Sequence, residues 1–410
     1  MFELGNSPLP RQRLLVLAST YPRWDGDHEP GFVHELSRRL VDTFDVHVLC
    51  PHAPNAASQE ILDGVSIHRF HYAPLALETL VQNGGILANL KRSPWKWCLV
   101  PFYFMGLMIS TWQFIRQLRP QCIHVHWIIP QGLALVMLGV FARNLPPFLL
   151  TSHGGDLFSL RGRVFGAVKR WVLRKAFIVT VVSRPMVREA VALGAEDERI
   201  YVAPMGVDFN CRFSLNQQVP RVAGQILFVG RLVEKKGVKY LIQALPSIRQ
   251  RMPSAHLVII GSGPELPELV ALVSRLGLQD WVEFLGALSQ AALPDFYRQA
   301  SVFVAPFVDA SSGDKEGLGL VSIEAIACGC PVVVGDVPVV ADIFLDTETD
   351  MRAIPGNPES LAQKVGDVLA SPEVACRRAL EVRQRLAGQL SWEIVSMRYS
   401  ALLNKMAASL

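Results

Sequence analysis

Short uninterrupted apolar runs alternate along the chain with longer stretches in which apolar positions recur every three or four residues. The first run, 14–19 (L-L-V-L-A-S), has the character of a strand buried on both faces. A polar loop bearing glycine and proline follows over 21–31, then a helix whose Phe32, Val33, Leu36, Leu40 and Val41 share one face, then a strand over 45–49. Further strands are predicted at 65–70, 122–126, 148–151 and 178–182, each ending at or near a Ser or His, with helices over 131–142 and 163–175. Around Pro204-Met-Gly-Val-Asp208 the pattern breaks into an irregular polar segment that lasts to Gly224. The alternation then resumes with strands at 225–229, 256–260, 282–285, 302–306 and 331–334. Helices are predicted between them at 238–251, 266–276 and 291–299, in a stretch closing at Gly329, and after the last strand at 358–369, 372–386 and 392–408. Strands and helices in strict alternation predict an α/β fold of two Rossmann-like, doubly wound domains facing across a cleft. The break places one domain at 1–206 and the other at 207–390, with the helix in 391–410 expected to complete the first.

Composition agrees with a packed enzyme: 410 residues are long for one core, half are hydrophobic and 19% are charged. The seven cysteines are odd in number and lack paired C-x-x-C spacing, so neither a disulfide framework nor a zinc ribbon is expected, and a reducing cytoplasm fits. No apolar leader precedes the first strand, so no signal peptide is expected. The net charge of +4 is uneven, with 21 Lys and Arg against 15 Asp and Glu before residue 206 and 19 against 21 after it. No acidic residue lies between Glu78 and Asp156, whereas Lys91, Arg92, Lys96, Arg116, Arg119 and Arg143 do. This basic span suits an anionic partner such as a phospholipid surface. Nucleic acid is not expected, because the basic residues are not interleaved with aromatics. The uncharged segment 97–115 carries Pro101, Gly106 and several hydroxyl residues, and it reads as a buried or interfacial helix rather than a span.

The chemistry concentrates in 312–334, S-G-D-K-E-G-L-G-L-V-S-I-E-A-I-A-C-G-C-P-V-V-V. Its helix is apolar nearly all round and should be buried, so a carboxylate at Glu324 needs hydrogen bonds to offset its desolvation. Glu316 stands just before the helix among Gly313, Gly317 and Gly319, where backbone amides can meet an anion. A second loop, Gly230-Arg-Leu-Val-Glu-Lys-Lys-Gly237, follows a strand and opens a helix. Arg231 can fork two hydrogen bonds to a phosphate and Lys236 adds a point charge. The loop is not a P-loop, and Gly261-Ser-Gly263-Pro264 is too short for a dinucleotide fingerprint. Together the two loops describe a pyrophosphate end, a diol end and a further hydroxylated group: a nucleotide sugar.

On these residues the sequence resembles the retaining GT-B glycosyltransferases of family four. Their E-x7-E element matches Glu316 to Glu324 and their R-x4-K pair matches Arg231 and Lys236. The resemblance implies that Glu324 binds the donor ribose, that Glu316 with Gly317, Leu318 and Gly319 meets the donor sugar, and that Arg231 and Lys236 neutralise the leaving diphosphate. It places Gly261 and Gly263 near the donor. Ser152-His-Gly-Gly-Asp156 looks like the family's H-G-x-D segment, which would set His153 at the sugar beside the scissile bond, with Asp156, Ser183 and Asp208 near the cleft. The loop ahead of Phe32 resembles the glycine loop that meets phosphate and acceptor through Gly31, although Pro30 replaces the first of the usual two glycines. Asp25-Gly-Asp27 mimics a D-x-D metal motif, but it follows the first strand, and Arg231 and Lys236 already supply positive charge; neither a metal nor a cofactor is expected in the reaction.

The resemblance thus implies transfer of a sugar from a UDP- or GDP-sugar to a hydroxyl of a glycan or lipid-linked acceptor, in polysaccharide or glycoconjugate biosynthesis. The basic, acid-free span adds an expected peripheral contact with the cytoplasmic membrane face. A non-hydrolysing nucleotide-sugar epimerase, or a non-catalytic nucleotide-sugar-binding protein, would share these loops.

Overall fold

The computed structural model describes residues 11–24, 26–27, 31–82, 85–142, 145–216 and 218–409. The first sheet comprises β1 (Gln12–Leu17), β2 (Phe44–Pro51), β3 (Gln59–Leu62), β4 (Val65–Phe70), β5 (Cys122–His126), β6 (Phe148–Ser152), β7 (Ile178–Val181) and β8 (Ile200–Val202). Its order is β3-β4-β2-β1-β5-β6-β7-β8, and every pairing is parallel except β3 with β4. The second sheet is all parallel, in the order β11-β10-β9-β12-β13-β14. Its strands are β9 (Val222–Val229), β10 (His256–Ile260), β11 (Val282–Gly286), β12 (Ala300–Ala305), β13 (Val332–Gly335) and β14 (Arg352–Ala353). Both are doubly wound Rossmann-like sheets, and strand order reverses between β1 and β5 in one and between β9 and β12 in the other. Ligands bind such sheets beyond the carboxyl ends of the strands at that reversal, so the loops after β1, β5, β6, β9 and β12 are the ones that matter.

The apolar runs form strands because both faces are covered: Leu14, Leu15, Leu17, Val48, Ile123 and Leu150 are all buried. One continuous apolar cluster passes from Val125, Leu150 and Val181 of the first sheet through Phe209 and Phe213 of the connector into Phe303, Ile323 and Val334 of the second. The C-terminal helix Trp392–Ala407 returns to the first sheet. Its Val395, Tyr399, Leu403 and Met406 are fully buried beside Val46, Val48 and Leu149, each worth about 1.5–3 kcal/mol of burial. The Tyr399 hydroxyl donates to the carbonyl of Ala203 at 2.7 Å.

Several elements escape the periodicity reading. The hairpin β3–β4 turns at Asp63 and Gly64, both in the left-handed region, and Asp-Gly is the pair that such a two-residue turn selects. The helix Arg184–Ala192 starts at Ser183 with a proline in its first turn. The two-residue β14 has no pattern to read. The segment read as a buried or interfacial helix is a helix over Leu99–Leu118, entered through a turn at Pro94–Cys98, and it is not buried. It packs through Leu99, Tyr103, Leu107 and Thr111 and turns Cys98, Phe102, Met105, Ile109, Trp112 and Arg116 to the outside. Among the described residues it is the one helix long and apolar enough to cross a membrane.

Candidate active site

The second domain supplies the charged half of the site. After β9 the chain turns through 230–237, and after β12 through 306–319. Glu234, Lys235 and Lys236 stitch these loops together. Glu234 accepts from the amide and hydroxyl of Ser311 at 2.9 and 3.0 Å, Lys235 pairs with Asp314 at 3.2 Å, and Lys236 pairs with Glu316 at 2.9 Å. Lys236 also lies 4.9 Å from the Phe307 ring centroid. Burial alone would raise the Glu316 carboxyl, but Lys236, Lys235 and the amide of Gly319 outweigh it and bring it below its usual range. Glu316 is therefore a carboxylate held by a cation.

Gly319 takes a left-handed conformation and starts the buried helix Leu320–Ala327, which carries Glu324 inward. The carboxylate accepts a hydrogen bond from the Tyr297 hydroxyl at 3.0 Å. Burial pushes it up to about 7, against the opposing pull of that bond, Arg212 and Lys236. Leu318 is buried at the helix entrance. Arg231 is exposed and makes no ion pair among the described residues. The glycines Gly261 and Gly263 have a local reason to be glycine: a Cβ would stand 1.8 Å from the Gly230 carbonyl oxygen and 2.2 Å from that of Leu232. They bring the 230–237 loop onto the end of β10, which positions Arg231 and Lys236.

The first domain supplies an uncharged half. His153 directly follows β6 with its Nε2 2.9 Å from Nδ1 of His126, the two rings stacked. Trp127 and Phe32 flank the same ring at centroid distances of 5.0 and 4.8 Å. Behind them His124 Nε2 meets Thr151 Oγ1 at 2.8 Å, and Thr151 meets Thr180 at 2.6 Å. Burial drives His153 and His124 down to about 3, with His153 adding to the effect on His124, and drives His126 well below its usual value. All three are neutral imidazoles at neutral pH. Trp127 sits at φ 73°, a conformation costing a non-glycine residue roughly 1–2 kcal/mol, and such strain gathers where side chains must be aimed.

Asp156 is buried and takes three donors: the amide of Ile128 at 2.8 Å, the Ser152 hydroxyl at 3.0 Å and the amide of His153 at 3.1 Å. It bolts the loop after β5 to the loop after β6 and so acts as a positioning residue for His153. Asp208 caps its own turn by accepting from the amides of Asn210 and Cys211. Ser183 lies at the start of its helix with a buried hydroxyl that has no partner among the described residues. Gly31 begins the helix Phe32–Leu40 at φ −85°, and the nearest neighbour of a Cβ added there would be Pro22 at 3.8 Å, so the helix start is open. Asp27 is gripped by Arg23, while Asp25 and Pro30 lie outside the described residues.

The two halves touch. A Cβ on Gly317 would meet the His153 carbonyl oxygen at 2.6 Å, and one on Gly154 would meet the Gly317 Cα at 2.9 Å. Around this contact Arg161 donates to the Gly313 carbonyl at 2.9 Å, the Arg184 amide donates to Asp342 at 2.6 Å, and Arg212 pairs with Glu35 at 3.2 Å. His126, Trp127, Phe32, Tyr297 and Arg212 were not singled out by the sequence reading. The alternate spacing of His124 and His126 on a buried strand was a signal for two of the imidazoles' common face.

Two doubly wound sheets meeting at the ends of their strands define the GT-B architecture, and comparison with known proteins gives the family. Residues 217–385 match the family described as Glycosyl transferases group 1, and residues 32–206 match the Glycosyl transferase 4-like domain. The chain is 31% identical over 287 residues to a GDP-mannose-dependent alpha-(1-6)-phosphatidylinositol monomannoside mannosyltransferase of Mycolicibacterium smegmatis, covering 66% of this chain and 74% of that protein. It is 27% identical over 408 residues to a glycogen synthase of Mycobacterium tuberculosis, covering 94% and 92%. Its fold is shared with sucrose-phosphate synthase from Thermosynechococcus elongatus at a TM-score of 0.78 and 20% identity, over 98% of this chain and 100% of that one. Anabaena HepE in complex with UDP and glucose gives 0.69 and 16%, over 96% and 100%. The chain belongs to the group 1, family 4 glycosyltransferases, and it is an enzyme of the glycosyl-transferring class.

Proposed function

We propose that this glycosyltransferase takes its sugar from a UDP- or GDP-sugar held by the second domain and passes it, with retention of anomeric configuration, to a hydroxyl of a glycan or lipid-linked acceptor held by the first. The observation that carries the reading is the meeting of the Lys236–Glu316 pair with His153 and Gly154 at Gly317. Departure of a nucleoside diphosphate builds negative charge on phosphate and positive charge on the sugar, and preorganised cations at the phosphate stabilise that transition state. Lys236, already desolvated beside Glu316, and Arg231, exposed at the loop after β9, are placed for the phosphate. Glu324 is placed for ribose hydroxyls, which would replace the solvation its carboxylate lacks. A neutral His153 offers a hydrogen bond to a sugar hydroxyl without putting a competing positive charge beside the developing oxocarbenium. No step in this scheme calls on a metal. The relatives named for GDP-mannose and the neighbour bound to UDP support a nucleotide-sugar donor without choosing its base.

A donor screen tests this directly. One class among UDP-, GDP- and ADP-sugars should raise the melting temperature, since a ligand bound only by the folded state stabilises it, and the product made from that donor should keep the donor's anomeric configuration. No thermal response to any of them would overturn the donor assignment, and conversion of the donor sugar without acceptor would favour an epimerase.

The acceptor reading rests on a surface. Trp95, Trp97, Phe102, Met105, Ile109 and Trp112 are 41–57% exposed along the Pro94–Leu118 segment. Lys91 and Arg92 lie at one end and Arg116 and Arg119 at the other. A water-facing stripe of tryptophan and aliphatic side chains between basic residues suits the headgroup region of an anionic bilayer, and it would hold the enzyme on the cytoplasmic face beside a lipid-linked acceptor. The purified protein should sediment with anionic vesicles at low salt, whereas a variant with serine at Trp97, Phe102 and Trp112 should stay in the supernatant.

A further inference from the structure

Three side chains that the transfer scheme does not use converge beyond the carboxyl ends of β2 and β4. His52 follows β2, His71 follows β4 and Glu78 ends the short turn Leu75–Leu77. Each offers a ligand atom, and the three atoms lie within 4.8 Å of one another. His52 Nδ1 stands 2.5 Å from Glu78 Oε2, and His71 Nδ1 stands 3.2 Å from Glu78 Oε1. The two imidazole centroids are 4.2 Å apart. Glu78 and His52 are buried, while His71 is 48% exposed and leaves the cluster open to solvent on one side.

The hydrogen bonding of His52 decides what the cluster can hold. Its Nε2 lies 3.0 Å from the carbonyl oxygen of Ala56. A carbonyl only accepts, so Nε2 carries a hydrogen, and a ring with no second hydrogen points its Nδ1 lone pair at the buried carboxylate. Two lone pairs facing each other repel unless a cation lies between them. His71 Nδ1 approaches the same carboxylate, whose Oε1 also accepts from the Tyr72 amide at 3.0 Å.

We propose that His52, His71 and Glu78 bind a divalent zinc ion, through both Nδ1 atoms and the carboxylate, with a coordination position left to water. Two imidazoles and one carboxylate make a donor set that suits zinc rather than magnesium or calcium, which favour all-oxygen shells. Tetrahedral bonds of about 2.0–2.2 Å separate neighbouring donors by about 3.4 Å. The His71 distance already fits, and the His52 distance opens by under an ångström through side-chain rotation. The Ala56 carbonyl holds the His52 ring from behind, as outer-shell partners of metal-bound histidines do.

The ion would act as a fastener. The His52 amide already donates to the Phe70 carbonyl at 2.9 Å, tying the ends of β2 and β4. Lys96 donates to the Thr79 carbonyl at 2.9 Å, tying the segment of Glu78 to the base of the apolar helix. Zinc would join all three at one point and fix the approach of that helix to the sheet. The inference stands independently of the donor and acceptor assignments.

The test uses the full, tag-free chain stripped with a chelator and titrated with zinc chloride, with cobalt chloride as a spectroscopic probe. One zinc per chain should bind, the melting temperature should rise, and cobalt should give the visible bands of a low-coordinate site. His71→Gln, at a half-exposed position, should fold normally and bind zinc at least tenfold more weakly. His256→Ala, at a histidine on the other sheet, should bind as the wild type does. Failure of the stripped wild type to take up one zinc, leaving a proton as the cation between His52 and Glu78, would overturn the site, and so would unchanged affinity in His71→Gln.

Discussion

The two faces of the cleft solve opposite electrostatic problems. The face from the second domain is built of partly or fully buried charge, with Glu316 against Lys236, Lys235 against Asp314, and Glu324 against a tyrosine hydroxyl. The face from the first domain is built of rings kept neutral by burial, with His153 stacked on His126, His124 tilted against His126, and Trp127 and Phe32 against His153. Charge that develops on a leaving phosphate is met by fixed charge, and a polar but uncharged sugar is met by uncharged donors. Each face can be perturbed separately.

The largest effect is expected at the charged face. Lys236→Ala should lower turnover by about 10²–10³-fold, the scale of losing one preorganised transition-state partner, with the fold retained by circular dichroism. Wild-type turnover would dissolve the contrast between the faces.

The next predictions separate the faces by the sign of their pH response. Glu324 is raised from 4.5 to about 7 in the folded state. Between those values the native protein binds the extra proton, so stability falls as pH rises, by on the order of 3 kcal/mol, and the loss is complete above pH 7. Glu324→Gln should therefore be more stable than wild type at pH 8 in the absence of ligand while binding donor more weakly, as read by denaturant melts and thermal shift. His124 runs the other way. Its value falls from 6.5 to about 3, so the unfolded chain binds the extra proton and stability is lost as pH falls below 6.5, again on the order of 3 kcal/mol or more. His124→Phe should flatten the acid limb and leave the alkaline limb alone. A single shared pH response in both variants would break the comparison.

Smaller effects test how the faces are joined. Gly317→Ala places a methyl 2.6 Å from the His153 carbonyl oxygen and should lower turnover by about 10–100-fold through misplacement rather than lost chemistry, with a measurable fall in melting temperature because backbone must move to admit it. Tyr399→Phe removes the bond to Ala203 that pins the C-terminal helix and should cost about 1 kcal/mol in denaturant titrations, with turnover unaffected.

The same contrast explains what could be read from the chain before its structure. Parallel strands were legible because burial on both faces leaves continuous runs such as L-L-V-L-A-S and P-V-V-V. The charged face was legible because Arg231, Lys236 and Glu316 sit at fixed spacings on loops that follow strands, with Glu324 on the helix that continues the second of them. The neutral face was not, since its imidazole stack is made by register: β5 pairs His126 with Thr151 of β6, which brings His153 over His126. No local pattern announces that Asp156 holds the backbone of two loops, or that Gly261 and Gly263 are needed by Gly230 and Leu232. The hairpin at Asp63-Gly64 did carry a signal, one masked by the short and weakly apolar β3.

The contact between Gly154 and Gly317 works as a spacer set at zero. Backbone of one domain rests on backbone of the other, so the smallest possible side chain at either position acts as a wedge and the width of the cleft at that point is fixed by the absence of a single carbon.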